Sequence, residues 1–435
     1  MTPRTADRRF WFGLRAIAAF GLLVRVGYVF LSRDTRFAGD GAFYNQISDS
    51  IAHGRGFISP ADYLTLHISS PTAAHPPLWS LVLALPARVG LTTLYEQQFF
   101  AALVGTATVV VLGCAARRLA GARAGLCAAA IAAVAPTFFL YERELMSETL
   151  VLLLVAVALL LTFRFQEEPR LGRAVAVGVT CGLLALTRSE QVLLIVLLLV
   201  PLLLLTPGIA RRDRWLWLGA AALAAVAVIA PWSIYSSARF QDPVLLSTEL
   251  GSTMVEANCP SVYFGARIGF ADGLCRRDAL HRGVGANGDD SVRDGALRAE
   301  AVSFIQDHAG RVPLVVLARE GRAWGIFKPS QQIHFESTRG TRVIVVEAAF
   351  GTYWLLAIAA IAGAVALRRR RIALLPLLAF PLTVVIGVAI SFGSVRYRAP
   401  AEVVIVTLAG VALDIAISRF GGFATPKAAT EPGGR

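Results

Sequence analysis

Long apolar runs recur along the whole chain, and they restrict it to a small set of folds. Each run has roughly 20 residues, the length at which an α-helix crosses the hydrocarbon core of a bilayer. The 435 residues are 56% hydrophobic and 16% charged, whereas about 25% of the residues in a soluble chain are charged. Because backbone groups in lipid must be paired internally, the sequence predicts an all-α polytopic membrane protein.

The apolar runs predict about ten transmembrane helices. They cover residues 11–31, 97–116, 124–140, 149–165, 173–187, 191–207, 215–235, 347–367, 372–392 and 400–417. The first run follows a basic N-terminus and is long enough to span the membrane, so we expect a retained signal-anchor helix there.

Arginine clusters indicate how these helices are oriented. The clusters lie in alternate loops, at residues 116–123, 170–173, 210–214 and 368–371. Placing all four inside satisfies the positive-inside rule and puts both termini in the cytoplasm, in a multi-pass protein of the cell (plasma) membrane. Since the basic residues are spread over these loops and form no single patch, the net charge of +13 does not indicate a nucleic-acid partner.

Polar stretches divide the chain into parts. They are an N-terminal transmembrane module, 1–235, with a first outer loop at 32–96, an extracytoplasmic segment at 236–345, C-terminal helices at 346–420 and a disordered cytoplasmic tail at 421–435. In the first outer loop, His75–Gly90 is apolar but interrupted by prolines, so we expect an interfacial or re-entrant helix. In the extracytoplasmic segment, Val292–Arg311 has the spacing of a helix that stops at Gly310.

Five cysteines are present. Cys114, Cys127 and Cys181 fall in predicted spans, where cysteine serves as a small apolar side chain. Cys259 and Cys275 both fall in the extracytoplasmic segment, and an oxidising compartment favours a disulfide between them. The alternative is two unpaired thiols in a loop.

Charged and polar side chains cluster where the predicted spans emerge on the outer side. They are Asp40, Glu142, Arg143, Glu144, Glu148, Arg188, Glu190, Arg396, Tyr397 and Arg398. Ionisable groups near membrane depth are usually paired or functional. Local pairs, such as Arg188 with Glu190, are one interpretation. The other is a single outer site for a lipid phosphate, in which arginines bind the phosphate and a carboxylate takes a proton.

Asp40 has two interpretations. Phe43, Ile47 and Ile51 follow it at helical spacing, so Asp40 can cap a short helix. It can also be a catalytic carboxylate held rigidly at that helix start. His53, His67 and His75 are too scattered to predict a metal site, and we expect His75 to contact backbone or substrate.

An ordered set of motifs resembles a known family. After Asp40 come "HPPLWSLVLAL", "ARRLAG", "YERELMSETLVLLL", "LTRSE", "APWSIY", "DPVLLST" and "RYRAP". The order is similar to that of the GT-C superfamily of membrane glycosyltransferases. The nearest likeness is to glycosyltransferase family 39 and its bacterial relatives, which include protein O-mannosyltransferases and the lipid A aminoarabinose transferase.

The resemblance implies an inverting transfer from a polyprenyl-phosphate sugar to a glycan, lipid or protein acceptor on the outer face of the bilayer. It implies that Asp40 is the general base and Glu148 the second acid. The expected donor-phosphate contacts are Arg143, Arg188, Arg396, Tyr397 and Arg398, and the expected further substrate contacts are Tyr44, His75 and Glu190. No cofactor is assigned, and Gly41 replaces a second acid after Asp40, although a divalent metal stays an open alternative.

Two other functions compete with a glycosyltransferase. A polyprenyl-linked lipid or sugar transporter or flippase would show internal repeats and charges within its spans. No repeat is present, and Arg25 is the exception among largely uncharged spans, at a position from which it can reach the outer interface. A non-catalytic assembly protein with the same fold is the third hypothesis.

Overall fold

The structure is a computed structural model that describes residues 3–32, 39–338, 340–372 and 374–421. Within these residues the regular secondary structure is helical, and the one β-type contact is an isolated bridge between Ile58 and Pro71. The all-α prediction is therefore confirmed. The predicted tail at 421–435 lies outside the described residues apart from Gly421.

The first half of the chain alternates long helices with short ones. They are α1 (Pro3–Leu31), α2 (Asp40–Ala52), α3 (Pro60–Leu66), α4 (Leu78–Arg88), α5 (Leu94–Ala120), α6 (Ala122–Val134), α7 (Pro136–Arg143), α8 (Glu148–Glu167) and α9 (Leu171–Ala185). A 3-10 turn, Ser189–Leu193, and a π turn, Ile195–Leu199, then lead into α10 (Val200–Leu205) and α11 (Arg211–Ser237).

The second half begins with residues 236–345, for which we keep the name extracytoplasmic segment from the sequence prediction, and returns to long helices. The segment contains α12 (Leu250–Ala257), α13 (Pro260–Tyr263), α14 (Gly273–His281), α15 (Asp290–Asp307), α16 (Val312–Ala323) and α17 (Pro329–Ser337). It is followed by α18 (Val343–Arg369), α19 (Leu375–Ile390) and α20 (Ala399–Gly421). Helix α15 covers most of the helix that the sequence predicts over 292–311.

The number of helices that can span a membrane differs from the predicted number. Among the described residues, six helices are long and apolar enough to cross a membrane: α1, α5, α8, α11, α18 and α20. Helices α6 and α7 meet the same criterion only as a pair, bent by 45°. The runs at α9, Ser189–Leu205 and α19 are shorter apolar helices, so the structure does not confirm the expected total of ten.

Helix α4 corresponds to the apolar stretch that the sequence places at the interface. It has 11 residues, which gives a length of roughly 16 Å at 1.5 Å per residue. That length is about half the hydrocarbon thickness of a bilayer, so α4 is too short to cross. It packs against α2 and α5.

Arg25 of α1 binds the backbone carbonyls at the break between α6 and α7. Pro136 has no N–H, so the Ala132 carbonyl loses its partner within the helix. The Arg25 guanidinium donates to the carbonyls of Ala132 at 3.2 Å and Ala133 at 3.1 Å, and its Nε lies 2.8 Å from Glu142 Oε1. Arg25 and Glu142 are both fully buried. The Arg25 side chain is thus enclosed by the bundle, and its reach to the outer interface stays a prediction.

The extracytoplasmic segment has small apolar cores of its own. The Sγ atoms of Cys259 and Cys275 are bonded in the structure, and Cys259 packs in one of these cores with Tyr263 and Val315. A cross-link over a loop of this size stabilises a folded segment by about 3 kcal/mol. The link therefore holds α13 to α14.

We expect Arg25→Met to lower the free energy of unfolding by about 3–5 kcal/mol, because it leaves Glu142 as an unpaired buried charge. Thermal unfolding in detergent would measure the loss. Arg15→Met, at an exposed position of the same helix, is the matched control. Adding Glu142→Gln should restore part of the stability, and no recovery in the double variant would contradict the ion-pair explanation.

Candidate active site

Helix α2 presents Asp40 at its first turn. Gly39 occupies the N-cap position with φ 81°, a left-handed conformation that glycine adopts without strain. Asp40 is thus the first residue of the helix and not its cap, which corrects the capping interpretation. A carboxylate in the first turn is stabilised by the helix dipole. The helix ends at Ala52, followed by Gly54 with φ 77°, as the sequence predicts.

Glu148, like Asp40, is the first residue of a helix, in this case α8. The turn that joins α7 to α8 contains Leu145, a non-glycine residue with φ 53°. The indole N–H of Trp79 donates to the Leu145 carbonyl at 2.9 Å, and Trp79 is fully buried. The N–H of Leu78 donates to the Leu186 carbonyl at 2.9 Å. The "HPPLW" motif therefore ties the start of α8 to the end of α9.

Two arginines reach Glu148 from two other helix breaks. Arg188 lies between α9 and the 3-10 turn that follows it. Arg396 lies in a 3-10 turn, Val395–Arg398, directly before α20. Four chain breaks thus meet at one place, and each supplies a charged side chain.

We call the resulting row of ion pairs the Glu148 cluster; its members are Asp40, Arg396, Glu148, Arg188 and Glu190. Arg396 bridges two carboxylates, with Nη1 at 2.8 Å from Asp40 Oδ2 and Nε at 2.6 Å from Glu148 Oε1. Arg188 binds the same Glu148 oxygen and also places its Nε 2.5 Å from Glu190 Oε1. The Glu148 side chain is fully buried, whereas that of Asp40 is 31% exposed, so the cluster opens at Asp40.

The cluster combines two guanidinium groups with three carboxylates. Burial by itself would lower the pKa of Arg188, but the charges of Glu190 and Glu148 outweigh it and hold that pKa above its usual range. The Arg188 guanidinium also lies over the Tyr397 ring, 5.0 Å from its centroid. Guanidinium groups held in this way present fixed N–H donors to a phosphate, and Asp40 lies beside them as a proton acceptor.

Aromatic side chains cover the cluster near Asp40. The His75 ring lies 5.0 Å from the Phe43 ring and 5.2 Å from the Tyr44 ring, centroid to centroid. Burial lowers the pKa of His75; the charge of Asp40 raises it, and that of Arg396 lowers it further. A neutral imidazole is therefore favoured at this position. Tyr44 and His75 thus lie beside the cluster, Tyr44 buried and His75 partly exposed, and their contact with a substrate stays a prediction.

Two of the expected phosphate-binding arginines lie elsewhere. The Arg398 Nε is 2.6 Å from Glu402 Oε1, and its guanidinium stacks 3.5 Å from the Tyr353 ring centroid. Arg143 is buried at the end of α7, and its Nη2 lies 3.4 Å from the Ser32 carbonyl. The local pair between Arg188 and Glu190 does form. Because Arg143 donates to Ser32 and Arg398 pairs with Glu402, we leave Arg143 and Arg398 out of the proposed site.

The carboxylates of the cluster do not fit a divalent cation as they stand. The Arg396 guanidinium occupies the position between Asp40 and Glu148, so one positive group already bridges them. Across the described ranges, no three His, Cys, Asp or Glu side chains are grouped closely enough to hold a metal. No step of the reaction proposed below passes through a metal.

Comparison with known proteins identifies the fold. Residues 74–235 match the family model described as dolichyl-phosphate-mannose-protein mannosyltransferase. The oligosaccharyltransferase of Archaeoglobus fulgidus, solved with zinc and sulfate, superimposes with a TM-score of 0.55 at 14% identity, covering 94% of this chain and 50% of that one. This is the GT-C fold. The resemblance that the sequence predicts is thereby confirmed.

Further structures with the GT-C fold were matched. AglB of the same archaeon, in complex with an inhibitory peptide and a dolichol-phosphate, gives a TM-score of 0.54 at 13% identity over 96% of this chain and 51% of that one. ArnT of Cupriavidus metallidurans, bound to undecaprenyl phosphate, gives 0.43 at 15% identity over 93% and 78%. The chain spans about half the length of the archaeal enzyme. No curated protein gives a significant sequence match.

The family match covers only part of the Glu148 cluster. Its residues 74–235 include Glu148, Arg188 and Glu190. Asp40 and Arg396 lie outside it, before and after the matched region. The GT-C fold brings these distant residues together through the helix breaks described above.

We expect Glu148→Gln to lower the free energy of unfolding by about 3 kcal/mol or more, because two largely buried guanidinium groups lose their shared counter-charge. Thermal unfolding in detergent would measure the change. Glu190→Gln removes a more exposed carboxylate of the same cluster and should cost less than about 1 kcal/mol. Equal losses for the two variants would contradict the central position of Glu148.

Proposed function

We propose that the protein is an integral-membrane glycosyltransferase. It moves a sugar from a polyprenyl-phosphate donor to a glycan, lipid or protein acceptor of the cell envelope, on the outer face of the plasma membrane. The observation that carries this proposal is the Glu148 cluster, in which two fixed guanidinium groups and one partly exposed carboxylate meet at helix ends. The family match and the GT-C fold support the same class of reaction.

Each part of the cluster has a role in this reaction. The acceptor hydroxyl attacks the anomeric carbon of the sugar and gives its proton to Asp40. The bond between that carbon and the phosphate oxygen breaks, and the polyprenyl phosphate leaves with the electron pair. Arg188 and Arg396 stabilise the negative charge that grows on the leaving phosphate. A single displacement of this kind inverts the anomeric configuration.

Glu148 is a positioning residue in this proposal. It is fully buried and bound to both arginines through one oxygen, so it has little freedom to meet a substrate. By fixing two guanidinium groups, it prepares the phosphate site before the donor arrives. Such preorganisation favours charge that develops in the transition state.

A transporter is the second candidate, and one observation favours it. The broken helix pair α6 and α7 carries a buried ion pair, Arg25 with Glu142, and transporters use broken helices with buried charges. In this chain, however, Arg25 also satisfies the carbonyls at the break. Incubation of the protein in vesicles with radiolabelled polyprenyl-phosphate sugars separates transfer to an acceptor from movement across the bilayer without transfer.

We expect Asp40→Asn to lower the rate of sugar transfer by a factor of about 100 or more, because general base catalysis contributes that much. Binding of the polyprenyl-phosphate donor should persist. Asp49→Asn is the matched control: Asp49 is on the same helix α2 and forms an exposed ion pair with Arg55. Full transfer activity in Asp40→Asn would reject the assignment of the base.

We expect Arg396→Lys to weaken binding of polyprenyl phosphate by a factor of about 10. A lysine ammonium is a point charge and cannot reproduce the planar contacts of a guanidinium that bridges two carboxylates and a phosphate. Equilibrium binding to the purified protein would measure the change. Arg55→Lys, in the exposed pair with Asp49, is the control, and equal affinities for both variants would contradict a phosphate role for Arg396.

A further inference from the structure

The extracytoplasmic segment folds back onto the Glu148 cluster over residues 244–249. The indole N–H of Trp232, near the end of α11, donates to the Leu246 carbonyl at 2.8 Å. The Ser247 and Ser189 hydroxyl oxygens lie 3.2 Å apart. Ser189 directly follows Arg188, so this stretch of the segment lies against the arginine side of the cluster.

The next residues reach the other side of the cluster. The N–H of Thr248 donates to the Ala73 carbonyl at 2.8 Å, two residues before His75. Glu249 then occupies the N-cap position of α12. The side chain of Glu249 is consequently carried by a backbone that two loops of the site hold in place.

The environment of the Glu249 carboxyl is unusual. The side chain is partly buried, and within the described residues it forms no hydrogen bond and no ion pair. The charged groups that act on it most strongly are Arg276, Asp40, Glu256 and Asp294. Asp40 is one of these four groups, so the Glu249 carboxyl lies within electrostatic range of the proposed general base.

The surroundings favour the protonated form of this carboxyl. Burial raises the pKa of Glu249 to about 8; Arg276 opposes the rise, and the negative charges of Asp40, Glu256 and Asp294 add to it. A protonated carboxyl both donates and accepts a hydrogen bond. It can therefore pair with a hydroxyl group without bringing a second negative charge next to Asp40.

We propose that Glu249 is an acceptor-binding residue, whose carboxyl hydrogen-bonds a hydroxyl of a carbohydrate acceptor at the Glu148 cluster. This inference rests on the proposed function and names the acceptor class, a neutral polyhydroxyl group. Ser247 contacts Ser189 next to Arg188, and Thr248 donates to the Ala73 carbonyl near His75. Glu249 follows directly, so its side chain begins between two loops that flank the cluster. A cationic acceptor such as an amine would instead stabilise the ionised carboxylate.

Binding of a fluorescent alkyl glucoside to the full-length protein in nanodiscs tests this role without turnover. At pH 6.5 we expect Glu249→Ala to raise the Kd for the glucoside about tenfold, the effect of one lost hydrogen bond in a partly desolvated site. Glu300→Ala should leave the Kd unchanged. Glu300 is another carboxylate of the same segment, and it is paired with Arg282.

The pH dependence separates a proton-bearing role from simple packing. In the wild type, the Kd for the glucoside should rise as the pH passes through about 8, because Glu249 loses the proton that it donates. Glu249→Gln keeps a neutral side chain with a donor and an acceptor, so its Kd should stay near the wild-type value and lose this rise.

Several results would overturn the inference. They are an unchanged Kd in Glu249→Ala, an alkaline rise that persists in Glu249→Gln, and no saturable binding of the glucoside by the wild type. Tighter binding of an alkyl amine than of the glucoside at pH 6.5 would also overturn it. Absence of sugar transfer with normal glucoside binding would instead contradict the proposed function alone.

Discussion

The fully buried carboxylate of Glu148 is the interaction on which the proposed site depends. One of its oxygens receives both Arg188 and Arg396, so two chain breaks that are distant in sequence are fixed at one point. Removing two guanidinium groups from water is costly unless a counter-charge meets them. Glu148 supplies that charge from the first turn of α8, where the helix dipole also favours a negative group. The position of the arginines, and through Arg396 that of Asp40, follows from this one residue.

The cluster is built at helix ends, and this placement has a physical reason. A membrane helix satisfies its own backbone inside lipid, but its first and last turns leave N–H and carbonyl groups unpaired. Those turns therefore need polar partners, and the chain supplies them at α2, α8, α9 and α20. The Trp79 indole and the Leu78 N–H satisfy the carbonyls of Leu145 and Leu186. The "HPPLW" motif thus fixes the backbone before Glu148 and the backbone before Arg188.

The fold class could be predicted from the apolar runs because helix length and lipid thickness are linked directly. The number of spans could not, since proline breaks and short helices such as α9 and α19 give the same local composition as full spans. The sequence does not distinguish Arg396 from Arg398. In the 3-10 turn, however, Arg396 pairs with Glu148 and Arg398 pairs with Glu402. No local sequence pattern marks Glu249 as a site residue, because its position near the cluster depends on how the extracytoplasmic segment folds back.

The bend between α6 and α7 links the site to the thickness of the membrane. Arg25 on α1 donates hydrogen bonds to the carbonyls at the bend and to the Glu142 carboxylate beyond it. Helix α7 leads directly into the turn before Glu148. A spanning helix accommodates a thinner or thicker bilayer by changing its tilt. A change in the tilt of α1 would therefore move the start of α8, so lipid chain length becomes a variable that sets the geometry of the charged cluster.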